Sequence, residues 1–378
     1  MNYNNRVYNF SAGPSMLPLE VLERAGSEIT NANGSGQSIM EMSHRSADFK
    51  PIIVEAERRI RALMQVPNNY RILFLQGGGW TQFSMVPLNL GGLSKSGMAE
   101  TATYIDTGVW ASKAAEEASK YLDIQIGASS KDKNYTYIPS APPPQETDAY
   151  YYICLNNTIV GTKWNNLPKT EGVPLVADIS SCILSETLDI SKFGLVFAGA
   201  QKNLGPAGCT IVIIREDLIG AAPHITPAML NYKTHADECS LFNTPPVWSI
   251  YVINLVLEWI EKNGGAEGMK KRNAQKAALL YACLDSAKNF YAPVLKADRS
   301  LMNVPFLLKD FDQKQDEKQE KQKIEIEKKF LQEAAREGLV NLAGHRLVGG
   351  LRASIYNAMP LEGVQKLCSF IEKFDKSL

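Results

Sequence analysis

One pattern constrains this chain more than any other: through its middle, short apolar runs alternate with amphipathic stretches. Residues 71–76, 102–106, 150–155, 174–178, 195–199 and 210–214 read as buried strands, rich in β-branched and aromatic side chains. Residues 51–65, 81–90 and 110–122, which fall between several of them, carry helical spacing. Strands that are apolar along their whole length must be covered on both faces. The alternation therefore predicts an α/β fold, with a mostly parallel sheet flanked by helices.

The chain's 378 residues suggest two or three domains. A long helix is predicted over 247–262, and Asn263-Gly264-Gly265 separates it from another over 267–286. That break divides a large domain, 16–265, from a smaller α+β C-terminal domain, 266–378. The smaller one is built from 303–308, a polar helical stretch, 346–356 and a helix over 361–374. Residues 1–15 are too few to fold alone and are expected to pack on one of these bodies. Residues 312–329 hold six acids, six lysines, four glutamines and two isoleucines, the composition of a solvated helix laced with i,i+4 pairs.

Composition excludes some functions. Forty Lys+Arg balance forty Asp+Glu, so no basic excess exists to neutralise a nucleic-acid backbone. No window reaches 18 consecutive apolar residues, which argues against a membrane span, and the N-terminal residues lack the apolar core of a secretory signal. The six cysteines lie 27 or more residues apart, several within apolar runs. They read as buried, reduced thiols, and a cytoplasmic location is expected. No metal site is expected, because no His lies at ligand spacing from a Cys pair.

The sharpest chemical signal is AGAQKNLGPAG, residues 198–208, where an apolar strand ends and delivers Lys202 among small residues. An amine at a buried strand end pays desolvation, which lowers its pKa and suits a lysine that must form a Schiff base. A surface lysine after a strand is the plain alternative. Twenty-four residues upstream, a second strand ends in Asp178, followed by Ile179-Ser180-Ser181. Both groups would project from the C-terminal edge of a parallel sheet, where ligands of open α/β folds bind. Pyridoxal phosphate wants this pair, a Lys for its aldehyde and an Asp for its ring nitrogen; the plain alternative for Asp178 is a cap on the next turn. Gln76-Gly77-Gly78-Gly79-Trp80 follows a strand and opens a helix, making an anion pocket or an ordinary turn. Trp110, after the next strand, could face a pyridine ring or fill the core.

Eight motifs run in order along the chain: NFSAGPSMLP (9–18), MSHR (42–45), GGGWTQFSMVPLNL (77–90), ADISS (177–181), AGAQKNLGPAG, FNTPPVWSIY (242–251), GHR (344–346) and GGLRASIYNAMPLEGV (349–364). Together they resemble the phosphoserine aminotransferase family of class V, fold-type I pyridoxal phosphate enzymes. The resemblance implies the cofactor pyridoxal 5′-phosphate, with Lys202 as its Schiff-base lysine and Asp178 at the ring nitrogen. Trp110 would stack on the ring, Thr158 donate to its hydroxyl, and Gly79, Trp80 and Gln201 hold its phosphate. Asn243 and Thr244 would reach the phosphate from a second subunit, which implies a homodimer with shared active sites. His44, Arg45, His345 and Arg346 resemble the clamp for the substrate's side chain or phosphate, and Arg352 the α-carboxylate ligand. Arginine suits that task because its fork meets carboxylate and phosphate in bidentate fashion.

The reaction so implied is ping-pong transfer of an amino group from L-glutamate to 3-phosphohydroxypyruvate, giving O-phospho-L-serine and 2-oxoglutarate, a step of serine biosynthesis. Relatives also take a phosphorylated hydroxy-threonine on the route to pyridoxine. Two residues depart from the family pattern. Trp80 stands where many relatives carry arginine, which removes one cationic contact, and Ala12 where some carry serine. The competing readings are a desulfurase or lyase on the same fold, which needs a reactive cysteine, and a non-catalytic relative.

Overall fold

The structure, a computed structural model, describes residues 6–93, 101–309 and 317–378. Its centre is a seven-stranded sheet in the spatial order Tyr70–Leu75, Thr210–Arg215, Leu195–Gly199, Leu175–Asp178, Asp148–Cys154, Thr101–Asp106 and Asp123–Ser129. Thr210–Arg215 runs against both of its neighbours, and the other six strands share one direction. All six predicted runs are strands. The unpredicted seventh, Asp123–Ser129, lies at the sheet edge with every residue exposed or half-buried, so it shows no buried apolar run.

Alternation along the central strands sorts their side chains into two layers. Ile211 and Ile213 enter one apolar core, Val212 and Ile214 the other. The first core is covered by the helices Leu19–Glu28, Lys50–Leu63 and Val247–Lys262, the second by Gly78–Leu90 and Val109–Ala118. Val247–Lys262 buries residues around most of its circumference, which explains its nearly unbroken apolar sequence. Each Leu, Ile or Val so buried contributes about 1.5–3 kcal/mol.

A further core centres on Phe330, whose ring lies 5.0 Å from that of Phe370 and 5.1 Å from that of Phe374, edge-on to both. A three-stranded antiparallel sheet, Leu351–Ser354, Asn303–Leu308 and Phe290–Tyr291, packs there with the helices Glu317–Arg336 and Leu361–Asp375. Gly265–Ser286 lends Ala266 and Met269 to the first core of the large sheet and Ala277, Leu280 and Leu284 to this one. Phe10 and Met16 also belong here, and Tyr8–Asn9 pairs in parallel with Leu339–Val340. The charged segment is helical from Glu317 onward, and Phe330 and Ala334 are the buried residues of that helix; 312–316 lie outside the described residues.

Five cysteines are free and buried, whereas Cys239 is free and exposed. Among the described residues no helix is long and apolar enough to cross a membrane, and no His/Cys/Asp/Glu group is arranged to hold a metal ion.

Candidate active site

Because six strands point the same way, five of them end at one edge of the sheet in segments that carry chemistry. These segments begin at Gln76, Thr107, Leu155, Ile179 and Ala200. Lys202 sits in the tight turn after Leu195–Gly199, where the N–H groups of Leu204 and Gly205 both return to the Ala200 carbonyl. The N-terminal segment crosses this turn. Ser15 donates its hydroxyl to the Lys202 carbonyl and its N–H to the Gln201 carbonyl at 2.9 Å. A Cβ on Gly13 would lie 3.5 Å from the side chains of both Gln201 and Lys202.

The Lys202 amine donates to Thr158 Oγ1 at 2.7 Å. Burial lowers its pKa below the ordinary lysine range; Asp178 pulls it back up, and Arg352 pushes it further down. Asp178 is buried at the end of its own strand, where its Oδ1 accepts the Ser180 N–H at 2.8 Å. Its Oδ2 accepts no hydrogen bond from a described residue. Ser180 was given no role by the sequence reading, yet it holds two strand ends together, because its hydroxyl accepts the Gly199 N–H at 3.0 Å. Its signal is present in Asp178-Ile179-Ser180, the spacing at which an aspartate accepts from the backbone two residues on.

The glycine triplet turns directly from the strand Tyr70–Leu75 into the helix Gly78–Leu90. Gly77 adopts φ +90°, and a Cβ there would lie 1.8 Å from Thr81 Oγ1, so no other residue fits. Gly79 is different, since a Cβ on it would meet Phe83 and Phe197 at ordinary contact distance. The helix has no side-chain N-cap. The first-turn N–H groups of Gly78, Gly79 and Trp80 are therefore open to an anion, at the positive end of the helix dipole. Trp80 is 53% exposed and lies edge-on to Trp110, with ring centroids 6.1 Å apart at 82°. Trp80 thus buttresses Trp110.

Arg352, on the strand Leu351–Ser354, reaches across to the Thr158 carbonyl with Nη1 at 3.2 Å. Its Nε is buried without a partner, and burial lowers its pKa. Arg352, His345, Val109, Ile159 and Lys323 are among the residues lining a cavity of about 430 Å³. His345 Nδ1 accepts the Leu347 N–H at 3.3 Å; burial, then Arg352 and Arg346, holds its pKa down. Arg346 is exposed.

Lys202, Thr158, Asp178 and Arg352 are thus brought together, with Trp110, Trp80 and the glycine turn along the same edge. His44 and Arg45 are not linked to them: among the described residues, no hydrogen bond or ion pair joins either one to Lys202, Asp178 or Arg352 of its own chain. His44 is buried with Nε2 unpartnered, and the exposed Arg45 side chain enters no hydrogen bond or ion pair with a described residue. Asn243 and Thr244 lie beside the chain's own glycine turn. Asn243 Nδ2 donates to Gln76 Oε1 at 3.0 Å, and Gln76 Nε2 to the Thr244 carbonyl at 3.5 Å.

Residues 7–367 match the family described as Aminotransferase class-V. A phosphoserine aminotransferase of Bacillus cereus is 52% identical over 372 residues, covering 98% of each chain. The structure of phosphoserine aminotransferase from Bacillus circulans subsp. alkalophilus is 46% identical with a TM-score of 0.90, covering 98% of this chain and 99% of that one. A PLP-bound phosphoserine aminotransferase from Trichomonas vaginalis is 36% identical with a TM-score of 0.89, covering 97% and 100%.

Proposed function

The chain belongs to the class V aminotransferases and has their fold-type I architecture, and from that premise we propose that it transfers the amino group of L-glutamate to 3-phosphohydroxypyruvate, giving O-phospho-L-serine and 2-oxoglutarate, with pyridoxal 5′-phosphate as cofactor. The single observation that carries the reading is the run of contacts Lys202–Thr158–Arg352 beside the buried Asp178. It sets a reactive amine, a carboxylate and a carboxylate-binding arginine around one point.

The donor set suits this cofactor. Asp178 is a buried carboxylate whose Oδ2 accepts no hydrogen bond from a described residue, which leaves it free for a cationic ring N–H. The open N–H groups of the Gly78–Leu90 helix suit a phosphate, for which Gln201, in the lysine-bearing turn, is a further proposed ligand, and Trp110 offers a ring face. Bound there, pyridoxal phosphate supplies an aldehyde that takes up the amino group and a ring that accepts the electron pair left at the substrate's α-carbon.

The chain's own residues do the rest. Lys202 holds the cofactor and, once displaced, takes the α-proton on Nζ and later returns it; burial shifts its pKa downward, the direction that task needs. Asp178 keeps the ring nitrogen protonated. Arg352 pairs with the α-carboxylate through its unpartnered face. His345 and Arg346 serve the distal anionic group, together with His44 and Arg45 from a second copy, while Asn243 and Thr244 of that copy approach the phosphate. Support for this homodimer is that Arg45 is exposed and its side chain enters no hydrogen bond or ion pair with a described residue. The location proposed is the cytoplasm, in keeping with five buried free thiols.

A coupled assay with glutamate against a panel of phosphorylated and unphosphorylated 2-oxo acids tests the reading. A clear preference for phosphohydroxypyruvate is expected. Equal or better turnover with pyruvate or glyoxylate would reject it.

A further inference from the structure

The helix Gly265–Ser286 exposes Lys270, Lys271 and Arg272 yet buries Lys276, which keeps 2% of its surface. No carboxylate of a described residue pairs with it. Its Nζ donates instead to three backbone carbonyls, those of Ile355 at 2.9 Å, Tyr356 at 2.6 Å and Met359 at 3.0 Å. A neutral amine has two N–H bonds and a lone pair, so only the ammonium form satisfies three carbonyls at once.

Those carbonyls belong to the segment that leaves the strand Leu351–Ser354, where Arg352 lies three residues before the first of them. The same segment reaches the lysine-bearing turn, because the Asn357 N–H donates to Asn203 Oδ1 at 3.1 Å, one residue from Lys202. Asn357 is fixed in turn. Its Nδ2 donates to the Leu184 carbonyl at 2.9 Å, and Asn273, which precedes Lys276 by about one helical turn, donates to its Oδ1 at 2.8 Å.

We propose that Lys276 is a positioning residue, whose ammonium locks the 355–359 segment and so holds Arg352 at a set distance from Lys202. The clamp sits outside the pocket but governs the spacing between the group that binds a substrate's α-carboxylate and the group that acts on its α-carbon. This rests on the reading of Arg352 as the carboxylate ligand.

The test uses the holoenzyme. Lys276→Met keeps a long apolar stem and removes the donor. Two quantities are measured: steady-state kinetics with glutamate and phosphohydroxypyruvate, and binding of glutarate, an unreactive dicarboxylate, by tryptophan fluorescence. KM for both substrates and Kd for glutarate should rise about tenfold, with kcat changed less than about threefold and cofactor content per chain unchanged. If KM and Kd stay at wild-type values while kcat falls with the folded fraction, Lys276 serves only the fold and the proposal is overturned. Should Lys276→Met fail to fold, Lys276→Gln keeps a polar head with two N–H donors on a shorter stem and so breaks at least one of the three carbonyl ties. It should raise KM and Kd about threefold, and unchanged values there overturn the proposal equally. Wild-type enzyme that neither turns over glutamate nor binds glutarate would reject the functional reading, and this inference with it, before any variant is made.

Discussion

The half-buried Lys202 and the buried Lys276 are surrounded in ways that prepare them for opposite work. At the mouth of the large sheet, the Lys202 amine has one hydrogen-bond partner, the Thr158 hydroxyl. On the helix that contributes to both the first core of the large sheet and the core around Phe330, Lys276 has three, all carbonyls. Burial lowers both pKa values, that of Lys276 the further, and what opposes the loss of a proton is then the set of hydrogen-bond partners. A hydroxyl can donate or accept, so Lys202 can lose its proton and leave no group stranded. Deprotonating Lys276 would leave a buried carbonyl without its donor, at a cost of about 1–3 kcal/mol. The number of fixed acceptors, more than depth, separates a reactive amine from an inert one.

Substitution should divide the two sharply. Lys202→Ala is expected to cut turnover on the order of 10⁴-fold or more while far-UV and near-UV circular dichroism stay native. Borohydride should fix the cofactor's mass on Lys202 of the wild type and on no residue of the variant. Residual activity well above background would remove Lys202 from its role.

Asp178→Asn should follow, with kcat lowered about 10²–10³-fold and part of the cofactor retained. A neutral amide cannot hold the ring nitrogen protonated. Near wild-type rates would show that the carboxylate serves the Ser180 turn and not the cofactor.

Mixing tests whether the mouth is built by one chain or two. Co-expressed Arg45→Ala and Lys202→Ala subunits would form heterodimers in which one pocket combines an intact Lys202 with an intact Arg45 and the other lacks both. Verified heterodimers should recover about half the native rate, since one pocket of two is whole. No recovery would mean that Arg45 serves its own chain.

The smallest effect is on stability. Because the folded chain holds the pKa of Lys202 below its unfolded value, the unfolded state binds more protons between the two pKa values, and stability rises with pH through that window. Cofactor-free Lys202→Met should therefore melt higher than wild type near neutral pH, and the gap should close toward the ordinary lysine pKa. A gap that ignores pH would point to packing instead.

Much of the mouth was legible because its residues sit where apolar runs stop. Asp178, Lys202 and the glycine turn each end a strand whose burial shows in its composition. Lys276 gave no such signal, since it follows Lys270, Lys271 and Arg272 on one helix and reads as one more solvated cation. Its burial depends on carbonyls some 80 residues away, which local pattern does not encode. Ser180 was written in a turn motif but its grip on Gly199 was not, because that contact joins neighbouring strands. The edge strand Asp123–Ser129 and the two-residue strand Tyr8–Asn9 escaped for want of a buried run. Trp80 was read as a lost cation, and its contact with Trp110 gives it a positive role.

The reversed strand Thr210–Arg215 separates Tyr70–Leu75 from Leu195–Gly199. Inserted antiparallel between them, it lets both outer strands finish at the same edge while keeping them two strand widths apart, about 9.5 Å. It contributes no chemistry of its own and works as a ruler. The gap from the glycine turn to the lysine turn is set by backbone hydrogen bonding, whose strand spacing hardly depends on sequence, and side chains can change on either side without altering the size of molecule that spans it.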